Sequence, residues 1–108
     1  MVKKPIQLSD QCLEIYLLFK ERLGRGVTPE DITDRDRLNI KEYTGRISDL
    51  RKFGYGIKNL KKNFYVLKTE PEMGHSDIVF IRIQANLRGY ENLVKRCDAR
   101  LEIMEALF

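Results

Sequence analysis

The stretch GRISDLRKFGYGIKNLKKNFYVL, residues 45–67, decides how this chain is read. A three-and-four spacing of apolar residues runs into Gly54-Tyr55-Gly56 and then gives way to alternating aromatic and β-branched residues. The first pattern is that of a helix and the second that of strands. Charge sharpens the contrast. Residues 41–68 carry eight Lys or Arg against two acids, a net of +6, whereas residues 1–40 balance at seven each and residues 69–108 carry five against seven. The whole excess behind the net charge of +4 therefore sits in one segment. Localised basicity of this kind is the electrostatic footprint of a surface for polyanions.

Working outward, residues 8–26 read as a first helix, with Ser9 as its N-cap and Gly24 and Gly26 as its stop. Cys12, Ile15, Tyr16, Phe19 and Leu23 form its apolar face. TPEDITDRDRL, residues 28–38, gives a short second helix capped by Thr28, with Pro29 at the first helical position and Ile32 as its inward anchor. A third helix is expected over 39–53. Asn39 and Glu42 supply a capping-box-like pair, and Tyr43, Ile47 and Leu50 face the core. GIKNL and FYVLKT then read as two strands closed by Lys61-Lys62-Asn63, a hairpin with a basic tip. EPEMGHS, residues 70–76, is a loop, and His75 an exposed turn residue within it.

The last third is the most regular. Phe80, Ile83, Leu87, Tyr90, Val94, Cys97, Leu101, Met104 and Phe108 follow steps of three and four, a heptad seam. A helix packing on its own domain and a helix pairing across a two-fold both fit. Leu87, Tyr90, Val94, Cys97, Leu101 and Met104 are the residues expected to make the dimer contact. IVFIRI is β-branched enough to be a third strand instead, and Gly89 interrupts the seam.

The resulting expectation is an α+β chain, mainly helical: a basic tail at 1–7, a winged helix-turn-helix over 8–68, a loop at 69–76 and a strand or helix extension over 77–108. In such a module the third helix lies in the DNA major groove and the wing reaches an adjacent backbone or minor groove. With Tyr43, Ile47 and Leu50 inward, Lys41, Glu42, Thr44 and Arg46 are expected at base edges. Arg46 suits guanine and Glu42 suits cytosine. Ser48, Arg51 and Lys52 are expected on phosphates, although Arg51 also fits a structural ion pair with Asp49. In the wing, Lys58, Lys61, Lys62 and Asn63 form a donor cluster.

The sequence also resembles a known family at this point. Leu50-Arg51, Gly54-Tyr55, Ile57, Tyr65 and Leu67 are similar to the end of the winged-helix module of the biotin-operon-repressor type, also frequent in small phage- and plasmid-encoded proteins. Carried backward, the resemblance lays Ile32, Leu38, Asn39, Tyr43 and Ile47 on that module's anchor, turn, cap and core positions. It covers about 28–68 and implies double-stranded DNA as partner and a small transcriptional regulator as function. The chain departs from it at Ile40, where a polar residue is usual, at Gly45 in mid-helix, and at a wing tip without glycine. Because the winged-helix fold also serves protein–protein contacts, a phage-type inhibitor or assembly adaptor is the alternative.

Catalytic and metal chemistry have no motif here. Cys12 and Cys97 lie far apart, His75 is the single histidine, and no phosphate-binding or nucleophile motif is present. No enzyme activity, metal or cofactor is expected. No apolar run approaches the ~20 residues that span a bilayer, and no signal-peptide core follows the basic start. No membrane association and a cytoplasmic location are therefore expected.

Overall fold

The structure, a computed structural model, describes residues 7–61 and 64–107, so most of the expected basic tail and Phe108 at the end of the seam lie outside it. It is α+β and mainly helical, with five helices and one two-stranded antiparallel hairpin among the described residues. The chain divides into two compact units with the boundary between Pro71 and Glu72.

The unit from Leu8 to Pro71 opens with α1, Asp10–Glu21. Ser9 caps it, its Oγ accepting the Cys12 N–H at 3.4 Å. Cys12, Ile15, Tyr16 and Phe19 are buried as the spacing predicts, but so are Leu17 and Leu18, so α1 is covered on most sides. Leu23 is the exception. The helix ends two residues before it, and Leu23 stands 44% exposed in the following turn.

Next comes α2, Pro29–Thr33, with Thr28 as N-cap. Thr28 and Asp31 form a reciprocal capping box: the Asp31 N–H reaches Thr28 Oγ1 at 3.3 Å and the Thr28 N–H reaches Asp31 Oδ2 at 3.0 Å. The Asp31 carboxylate is buried and also pairs with Arg22, at 2.6 Å, and with Arg37. Residues 34–38, expected to continue α2, form turns instead.

The third helix, α3, spans Tyr43–Lys52 rather than starting at residue 39. Asn39 takes a left-handed backbone with φ 55°, which no helix N-cap adopts, so the expected Asn39–Glu42 capping box does not form. Ile40 explains the delay. It is 3% exposed, and its N–H donates to the Ile32 carbonyl at 2.8 Å, so a core residue occupies the place where a polar one was expected. Ile47 and Leu50 are buried and Tyr43 is half-buried.

The hairpin forms where the sequence places it, as β1 (Gly56–Lys61) and β2 (Phe64–Thr69). Ile57 pairs with Leu67, both buried. Tyr65 also exchanges two backbone hydrogen bonds with Val27, at 2.8 and 2.9 Å, tying β2 to the segment between α1 and α2. At Gly26, with φ 82°, the ring of Phe64 lies where a Cβ would be.

The second unit is a helical hairpin of α4, His75–Leu87, and α5, Glu91–Ala106. IVFIRI is therefore helical. Asp77 fastens the start of α4, its carboxylate accepting the Gly74 N–H at 3.0 Å, and His75, expected in a loop, is the first helical residue. Gly89, with φ 72°, turns the chain back, and the Tyr90 N–H donates to the Ala85 carbonyl at 2.9 Å. Arg82 pairs with Asp98 and His75 approaches Glu105 at 4.0 Å, so the helices run antiparallel. The heptad seam is thus broken at its glycine and is not one continuous stripe. Ile78, Ile81 and Ala85 of α4 are buried with Leu93 and Cys97 of α5, while Ile83 and Leu87 face out.

Candidate nucleic-acid interface

The helix α3 and the strand β1 carry most of the residues singled out for DNA. On α3, Thr44, Ser48 and Lys52 are exposed, and Gly45 has no atom within 4 Å of where a Cβ would stand. These residues share the side opposite Ile47 and Leu50. Lys41 and Glu42 are exposed but precede the helix, Glu42 occupying the N-cap position without a side-chain cap.

The two arginines are turned elsewhere. Arg51 donates from Nε and Nη2 to the Ile57 carbonyl, at 3.1 and 2.8 Å, and thereby fastens the end of α3 to β1. Asp49 pairs with Arg46 rather than with Arg51, whose side chain stays exposed while it holds this bond. Arg46 lies on the flank of α3 nearest α1. Its Nη2 pairs with Asp49 at 3.3 Å, its carbonyl lies 3.7 Å from the Cys12 thiol, and its Nε is buried without a hydrogen-bond partner. It lines an open groove of about 470 Å³ with Ser9, Cys12, Asp49, Lys52 and Phe53. Arg46 is therefore half-buried, where the helical count placed it among the outward residues.

The hairpin presents Lys58 and Lys61, both exposed, and Lys68 on β2 adds a further exposed cation absent from the expected site. None of Lys41, Lys52, Lys58, Lys61 or Lys68 takes part in an ion pair among the described residues. Lys62 and Asn63, the expected wing tip, lie outside the described residues. Asn59, whose role no sequence pattern signals, accepts the Phe64 N–H on its Oδ1 at 3.4 Å and closes the hairpin. Beside the hairpin, Tyr43 and Tyr65 meet edge-on at 6.1 Å. Burial, Tyr65 and Glu30 together raise the Tyr43 pKa above its ordinary 10.0.

Of the residues expected at a dimer contact, Leu87 is 73% exposed at the end of α4 and Cys97 is buried. Tyr90 sits at the bend, and Val94, Leu101 and Met104 are half-buried along α5. Among the described residues no group of three or more His, Cys, Asp or Glu is placed to hold a metal, and no helix is long and apolar enough to cross a membrane. Comparison with protein-family models, with curated proteins and with solved structures gave no match.

Proposed function

We propose that the 8–71 unit is a winged helix-turn-helix of the biotin-operon-repressor type that binds double-stranded DNA, chiefly through the phosphate backbone, as a small cytoplasmic transcriptional regulator. The observation that carries this reading is the set of exposed lysines on α3, β1, β2 and the turn before α3, none of them in an ion pair among the described residues. Phosphate neutralisation supplies affinity without sequence information, and base-edge contacts supply specificity. The face of α3 opposite the core offers Thr44, Gly45, Ser48 and Lys52, few donors for base edges, so backbone contact dominates. A homodimer would place two such units on a palindromic site.

Duplex binding measured over a range of salt concentrations tests the proposal. Five lysine–phosphate contacts give a slope of log K against log salt of about −4 to −5, and replacing Lys52, Lys58 or Lys61 by Ala reduces it by about one unit each. Absence of binding, or binding indifferent to salt, overturns it. Sedimentation tests the dimer, a monomer mass at working concentration counting against it.

One observation favours a second reading. Arg46 and Arg51, the residues best suited to base or phosphate recognition, are held by Asp49 and by the Ile57 carbonyl. A small-residue helix face rimmed by lysines also fits an acidic protein partner, as in an inhibitor or assembly adaptor. Failure of the duplex assay together with retention on an acidic protein would favour it.

A further inference from the structure

The β1–β2 ladder is irregular near its turn. Asn59 pairs with Tyr65 and Lys61 with Phe64, so the register shifts across Leu60, which has no cross-strand partner among the described residues. A residue inserted into one strand in this way re-aims the side chain at that point. The Asn59 side chain holds the irregularity by accepting the Phe64 N–H. Leu60 is left 51% exposed, with Lys58 and Lys61 exposed on either side. Isolated exposed leucines are ordinary. Here the exposure coincides with a register irregularity and with two flanking lysines that take part in no ion pair among the described residues.

We infer that Leu60 is an apolar wedge for the DNA minor groove, an inference that rests on the DNA-binding reading above. Lys58 and Lys61 are three residues apart along β1, about 10 Å. Two flexible ammonium groups at that separation reach phosphates on both sides of a groove about 6 Å wide. The side chain between them then points at the groove floor. An apolar side chain placed there partly unstacks a base step and bends the duplex toward the major groove. Pyrimidine–purine steps such as TA and CA/TG open most easily, so the wedge selects sites by deformability without reading base edges.

The test uses the full chain and two duplexes, one with a central TA step carrying 2-aminopurine and one of G·C pairs throughout. Thermal melting of each variant confirms the fold, which an exposed leucine does not support. The wild type is expected to favour the TA duplex about fivefold, and to raise its 2-aminopurine fluorescence as the step unstacks. Leu60→Ala loses both the preference and the fluorescence rise but keeps the salt slope, Leu60→Met keeps all three, and Lys58→Ala lowers the slope. A wild type that binds both duplexes alike without unstacking overturns the wedge while leaving DNA binding intact. So does a Leu60→Ala chain indistinguishable from the wild type. A wild type that binds neither duplex overturns the DNA-binding reading and the wedge together.

Discussion

The guanidinium of Arg51 grips the carbonyl oxygen of Ile57 with two donors, at 3.1 and 2.8 Å, across the glycine turn that joins α3 to the hairpin. The first residue lies in the last turn of α3, the second near the start of β1, and the bond ties the two elements together. A cation in this position has a structural task inside the fold.

Replacing Arg51 by Ala is therefore expected to lower stability by about 1.5 to 3 kcal/mol, the range for a hydrogen bond made by a charged donor. Lysine recovers only part of this, because an ammonium lacks the planar fork. Urea unfolding gives the stability change, and the salt slope of duplex binding should stay as in the wild type.

At Gly26 two constraints coincide, a φ of 82° and a Phe64 ring atom 2.6 Å from where a Cβ would stand. Gly26→Ala should cost about 1–3 kcal/mol from the backbone conformation alone. Combining it with Phe64→Leu should restore part of the loss by removing the ring. A double-mutant cycle on melting curves measures that coupling.

Gly45 behaves in the opposite way. It lies inside α3 with open space where an alanine methyl would stand and without a positive φ, so Gly45→Ala should stabilise the fold by about 1 kcal/mol. In a domain this size that raises the melting temperature by about 4–8 °C. If DNA approaches α3 closely at this point, the same change weakens duplex binding, so the two measurements together report contact.

Tyr43 carries a pH signature. Burial, the neighbouring Tyr65 and Glu30 raise its pKa above 10.0, so the folded chain holds the phenol proton more tightly than the unfolded chain does. Its contribution to stability is complete below pH 10.0 and is lost as pH rises through the higher folded value. Unfolding measured across that alkaline window should show a decline that Tyr43→Phe removes.

Local chemistry made much of the 8–71 unit readable in advance. Ser9 and Thr28 are good caps in any context, and Pro29 at the start of α2 has no competing use. The alternation of GIKNL and FYVLKT leaves little choice but a hairpin. What the sequence concealed depends on partners distant along the chain. Ile40 is recruited by the Ile32 carbonyl into the core, which delays α3 and turns Asn39 left-handed. Arg46 lies beside Cys12, thirty-four residues away, and no helical count from Tyr43 could reveal that. The seam in the last third misled for a different reason. A spacing of three and four continues unbroken through Gly89, whereas the backbone reverses there, so residues in one stripe on paper belong to different faces in space.

That reversal also bears on how much chain each pairing must close. Because Gly89 folds α4 back on α5, their pairing starts from a short connecting turn and extends outward from it, which keeps the loop-closure cost low. The Val27–Tyr65 bridge must instead draw together two segments separated by α2 and α3, at a greater cost in chain entropy. The setting of the hairpin that presents Lys58, Leu60 and Lys61 thus depends on a bridge between segments distant along the chain, whereas the helical hairpin turns on the short link between α4 and α5.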